Sequence, residues 1–105
     1  MKHVYYLSTC DKCKRILSNF SNDLNHEYFD IKFNPISPEV LDHLANVVGS
    51  YEALFNKRAI KFKDKNLRLS IQSDIDYRNL ILSEYTFLKR PIFINNDVVG
   101  LENPI

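Results

Sequence analysis

The chain opens on an unbroken apolar run, Val4-Tyr5-Tyr6-Leu7, the pattern of a strand buried on both faces. Ser8-Thr9 breaks the run. Beyond it Ile16, Leu17, Phe20 and Leu24 recur at helical spacing and predict a helix over 11–22, with Ser8 or Thr9 as its cap. From Tyr28 to Phe33 the residues alternate, Phe29, Ile31 and Phe33 against Tyr28, Asp30 and Lys32, which predicts a second strand. Strand, helix and strand in this order, within about 30 residues, make a βαβ unit.

A turn at Asn34-Pro35-Ile36 leads to Ser37-Pro38, a cap followed by proline at the first helical position. Val40, Leu41, Leu44, Val47 and Val48 form the stripe of that helix, and Gly49 ends it. Tyr51 to Asn56 reads as a further helical turn. Between Lys57 and Arg68 six basic residues face one acid, Asp64, and predict an exposed loop. Tyr77, Leu80, Ile81, Tyr85 and Leu88 mark another helix, its aromatic residues read as core. Ile92-Phe93-Ile94 and Val98-Val99 flank Asn95-Asn96-Asp97 as a tight antiparallel hairpin. The expectation is an α/β fold with a mixed four-stranded sheet.

Length and composition narrow the setting. The 105 residues suit one domain spanning 1–105, and 45% hydrophobic with 26% charged residues supports a core rather than disorder. A formal charge of +1 gives no global reason for nucleic-acid or membrane binding. Lys57, Arg58, Lys61, Lys63, Lys65 and Arg68, interleaved with Phe55 and Phe62, resemble a strand-binding surface in composition, but a solvated loop is the expected reading and no direct nucleic-acid contact is expected. The apolar run at the start is too short for a signal peptide, and no stretch approaches the ~20 apolar residues of a membrane span. The expected compartment is the cytoplasm, where thiols stay reduced.

Against that background Cys10 and Cys13 are the candidate chemistry. Cys10 follows the first strand and Cys13 falls in the first helical turn. Unpaired amide N–H groups and the positive end of the helix dipole favour thiolate there, helped by Lys12, Lys14 and Arg15 and opposed by Asp11. Cys13, one turn on, can resolve a mixed disulfide or close an internal one. Cys-x-x-Cys beside a βαβ pattern is a fairly specific redox signal. A structural pair of small hydrophobes is the bland alternative. A metal site needs two further ligands, and His3, His26 and His43 are scattered singly, so no metal is expected.

Four stretches stand out together: Tyr5 to Arg15 with the cysteine pair, Phe29 to Lys32 with Pro35 and Ser37 to Leu44, Leu54 to Arg58, and Leu88 to Ile94 followed by Val99-Gly100. They resemble the family of arsenate reductases and Spx-like regulators in the thioredoxin superfamily. The resemblance covers nearly the whole chain. It implies a thioredoxin-like fold with an inserted helical segment between the βαβ half and the hairpin, and a cis bond at Arg90-Pro91 facing the cysteines. Cis bonds are almost confined to proline. It implies Cys10 as nucleophile, Cys13 as resolving thiol, and Arg90 as the guanidinium facing whatever Cys10 attacks. The family's central arginine falls on Asn56, with Arg58 two residues on, so Asn56, Arg58 and Arg90 are the candidate oxyanion-binding set. The third arginine falls near Glu102, whose charge would repel an anion.

The implied substrate is a small oxyanion such as arsenate or a disulfide. No cofactor is expected to stay bound, and the reductant is glutathione, glutaredoxin or thioredoxin. The alternative is a redox-sensing regulator that binds the RNA polymerase α subunit, with Gly49-Ser50 at the place of that contact, although a glycine closing a helix has an ordinary structural reason. Ile105 stands just beyond the last strand, where family members continue into a helix covering the sheet. Self-association or a partner on that face is the expectation.

Overall fold

The computed structural model of the chain describes residues 2–20 and 26–104. These fall into two compact units, residues 1–36 with 90–105, and residues 37–89.

The first unit is built on strand β1 (Lys2–Tyr6), helix α1 (Asp11–Phe20), strand β2 (Glu27–Asp30) and the hairpin strands β3 (Ile92–Asn95) and β4 (Val98–Leu101). The sheet order is β2-β1-β3-β4, with β1 parallel to β2 and antiparallel to β3. This is the expected mixed four-stranded sheet. Val4, Ile92, Phe93 and Ile94 are fully buried, as the two central strands require. Phe20 of α1 lays its ring 4.7 Å from that of Phe93, which fixes the helix on the sheet face carrying Phe93.

One boundary differs from the sequence reading. The alternation beginning at Tyr28 runs to Phe33, but the strand stops at Asp30, whose carbonyl accepts from the amides of Phe33 and Asn34 in a turn. Phe33 is consequently 72% exposed, while Ile31 keeps a ladder-like bond to the Tyr6 carbonyl at 2.8 Å and is buried. Helix α1 is described to Phe20, and Leu24 lies outside the described residues. The hairpin turns at Asn96, which takes a left-handed φ of 56°, a region asparagine tolerates.

The second unit begins with helix α2 (Pro38–Val48). Ser37 caps it by accepting from the Val40 amide at 3.2 Å, and Gly49 ends it at φ 106° with its N–H on the Ala45 carbonyl at 2.8 Å. Leu41, Leu44 and Ala45 form its buried stripe, whereas Val47 is partly exposed. Replacing Ser37 by alanine leaves an amide of the first turn without its partner. The expected cost is about 1 kcal/mol in urea denaturation.

Tyr51–Asn56 contains a 3-10 turn over Glu52–Leu54. The segment read as an exposed basic loop is in fact structured: a 3-10 turn over Ile60–Lys63 leads into helix α3 (Lys65–Ser70). Asp64, the lone acid of the run, caps α3 through Asn66 and Leu67 amides. Helix α4 (Asp74–Ser83) opens on a capping box between Ser73 and Asp76. It stops earlier than the apolar spacing implies, because Glu84 is extended at φ −152°; Tyr85 belongs to a separate 3-10 turn and Leu88 to an antiparallel bridge with Phe55.

Phe55 centres the aromatic core of this unit. It stacks on Phe87 at 5.1 Å and meets Phe62 and Tyr77 edge-on at 4.9 Å each. Asp42 joins α2 to α4, accepting from Arg78 Nε at 2.7 Å and from the Tyr51 hydroxyl at 2.6 Å. No helix among the described residues is long and apolar enough to cross a membrane.

Candidate functional site

Cys10 itself occupies the cap position of α1, one residue beyond Thr9 and two beyond Ser8, the expected caps. Its amide bonds the Leu7 carbonyl at 3.1 Å, closing the turn after β1, and its carbonyl accepts from the Lys14 amide at 3.1 Å, the first bond of the helix. The sulfur then takes the place of a capping oxygen: Cys10 Sγ accepts the N–H of Cys13. Ser8 has a different task. Its hydroxyl and amide both donate to the Asp30 carboxylate, tying the turn after β1 to the end of β2. Burial alone would raise the Asp30 carboxyl, but these bonds and the Lys32 amide hold it below the usual carboxylate range.

Cys13 is fully buried, Cys10 is partly exposed, and neither is in a disulfide. The helical period explains the burial. Cys13, Ile16, Leu17 and Phe20 stand at i, i+3, i+4 and i+7, so Cys13 heads the stripe that faces the sheet. That signal was present in the spacing, three positions ahead of Ile16.

Arg90 reaches the same place from the far end of the chain. Tyr5 pairs with Ile92 at the end of the β1–β3 ladder, and Arg90 stands two positions before Ile92. The Arg90–Pro91 peptide is cis. The guanidinium donates to Cys10 Sγ.

The two thiols respond in opposite directions. Burial would raise the Cys10 thiol, but the Cys13 amide, the Arg90 guanidinium and the Cys13 thiol outweigh it and hold Cys10 below a free cysteine. Burial pushes Cys13 up to about 11, with the negative charge of Cys10 adding to the rise and the Leu7 N–H on its sulfur opposing it. Cys10 is thus the more acidic of the two thiols, and burial keeps Cys13 protonated as a donor to it.

Of the residues picked from the sequence, Cys10, Cys13, Arg90 and Pro91 come together in the first unit. Asn56 and Arg58 belong to the second. There the Asn56 side chain is committed locally, Oδ1 accepting the Arg58 amide at 3.2 Å and Nδ2 donating to the Thr86 carbonyl at 3.3 Å, while Arg58 is exposed. One participant was not read as such from the sequence: Leu7 contributes an amide to Cys13, which no residue type announces. Lys12, read as a charge helping the thiolate, instead forms an ion pair with Glu102, the residue that follows β4.

No protein-family model and no curated protein matches the sequence. Solved structures do match the fold. A putative arsenate reductase from Yersinia pestis superimposes with a TM-score of 0.80 at 15% identity, covering 96% of this chain and 91% of its own. The arsenate reductase from Vibrio cholerae gives 0.79 at 20% identity, over 95% and 87%. An arsenate reductase (ArsC) related protein from Brucella melitensis gives 0.71 at 22% identity, over 95% and 84%. The chain has the thioredoxin-like fold of these arsenate reductase-related proteins.

Proposed function

From a chain with the fold of arsenate reductase-related proteins, we propose a thiol-dependent oxidoreductase in which Cys10 is the nucleophile and Cys13 the resolving thiol. One observation carries the reading: Cys10 Sγ caps a helix, accepts the Cys13 amide and is bonded by the Arg90 guanidinium. A thiolate is the attacking species, and these three features each favour it.

The order of events follows from the two acidities. The Cys10 thiolate attacks one sulfur of a disulfide, or the central atom of an oxyanion such as arsenate, where one oxygen is protonated and leaves as water as the bond to sulfur forms. With a disulfide, the old S–S bond breaks as the Cys10–S–S–R bond forms, and the departing thiolate takes a proton from water. The Cys10 charge is now gone, so one of the causes raising Cys13 disappears, while the Leu7 amide still favours its anion. Cys13 then attacks Cys10 Sγ, expels the second thiolate and leaves a Cys10–Cys13 disulfide. Two electrons have passed to the substrate. A thiol reductant, glutathione, glutaredoxin or thioredoxin, returns them. Arg90 steadies the negative charge on attacking and leaving groups.

The acidity of Cys10 has a direct test. A lowered value means the thiolate is present at lower pH, so iodoacetamide labelling of Cys10 should rise with a midpoint below that of a free cysteine, about 8.5. Arg90→Met removes one lowering cause and should move the midpoint upward. A midpoint equal to that of free cysteine refutes the reading.

For the regulatory alternative, the structure accounts for Gly49 by the backbone. Its φ of 106° is a conformation that side chains with a Cβ rarely adopt, although a Cβ there would meet open space.

A further inference from the structure

Lys12 lies between the two cysteines in the first turn of α1, where its charge would naturally serve a nucleophile at the helix start. The fold takes that charge away. Glu102 follows β4 in a left-handed conformation, φ 63°, and its amide donates to the Pro91 carbonyl at 2.8 Å. The residue joined to Arg90 thereby anchors the backbone of Glu102, whose carboxylate Oε2 takes Lys12 Nζ. Their side chains are about a quarter exposed, 28% and 25%, so the pair is only partly screened by water. Lys14 and Arg15 are exposed on α1, and Asp11 adds a second negative charge at its start.

We propose that Glu102 sets the charge selectivity of the Cys10 site by neutralising Lys12, so that the site takes a neutral disulfide in preference to a small multivalent oxyanion. The inference rests on Cys10 being the nucleophile and names the substrate class for it. A tetrahedral dianion loses strong hydration on docking and needs several charged donors to replace it. Arg90 offers one guanidinium, part of which already bonds the sulfur, and Lys12 is paired with Glu102. A disulfide carries no charge to desolvate and needs only an in-line approach to the sulfur. In that reaction one S–S bond forms as another breaks, and the leaving thiolate is protonated by water.

The test compares iodoacetate with iodoacetamide, reagents of similar size and different charge, on Cys10 followed by peptide mass. In Glu102→Gln, Lys12 is released, and the iodoacetate to iodoacetamide ratio should rise about fivefold at low salt. In Lys12→Met, the positive charge of Lys12 is lost while the carboxylate of Glu102 stays, and the ratio should fall by a similar factor. Both changes should shrink in high salt. In the native protein arsenate should fail to protect Cys10 from iodoacetamide, whereas 2-hydroxyethyl disulfide should convert it to a mixed disulfide. A ratio unchanged in both variants, or protection of the native protein by arsenate, overturns the proposal. Slow iodoacetamide labelling at neutral pH would instead count against the thiolate reading alone. Measured above about pH 9, where an ordinary thiol also ionises, the ratio still decides charge selectivity.

Discussion

Cys13→Ser should accumulate Cys10 as a stable mixed disulfide with its substrate or reductant, while Cys10→Ser should form none and lose turnover on the order of a thousandfold or more. The asymmetry follows from position. Cys10 caps α1 with its sulfur partly exposed and bonded to Arg90; Cys13 is fully buried on the helix stripe. An outside disulfide therefore meets Cys10 first. Serine in place of Cys13 keeps the amide that donates to Cys10 Sγ but lacks the thiol that would expel the bound group. Non-reducing electrophoresis and intact mass after incubation with a disulfide read the outcome. If Cys10→Ser traps a partner as well as Cys13→Ser does, the two roles are assigned the wrong way round.

The second large effect concerns the sheet. Phe93→Ala should destabilise the protein by about 3–5 kcal/mol, a large share of the total for a domain of this size. Phe93 is fully buried in β3, faces Val4 across the ladder with β1, and packs against Phe20. Truncation removes the partner that seats α1 on the sheet. Because α1 carries both cysteines and β3 follows directly on Pro91, the variant should also move the Cys10 midpoint toward that of a free thiol. Urea denaturation measures the first effect and pH-dependent alkylation the second. A loss below about 1 kcal/mol would show that the core closes around the gap.

Much of the fold was legible because its determinants are local. The apolar run of β1, the stripe of Ile16, Leu17 and Phe20, the Ser37-Pro38 start with Gly49 at the end, and the turn of the hairpin are each specified by residues within a few positions. Local signals failed where charge hid structure. The basic run from Lys57 to Arg68 has no apolar period, and Ile60 and Leu69 are 81% and 69% exposed, so α3 is held by the Asp64 cap rather than by a buried stripe. They also overran two ends. The alternation to Phe33 and the helical spacing to Leu88 both continue past residues, Asp30 and Glu84, where the backbone turns away.

The sequence by itself determined that two cysteines would stand at the start of a helix following a buried strand, since both facts depend on spacing. Only the tertiary structure decided which thiol is the more acidic. That outcome needs Arg90, 80 positions along the chain, carried to Cys10 by the antiparallel pairing of β1 with β3, and the full burial of Cys13. It also decided that Lys12 would be held by Glu102, a pairing that depends on the path of the chain after β4. Electrostatic effects depend on distance through space, and residue spacing along a chain does not encode them.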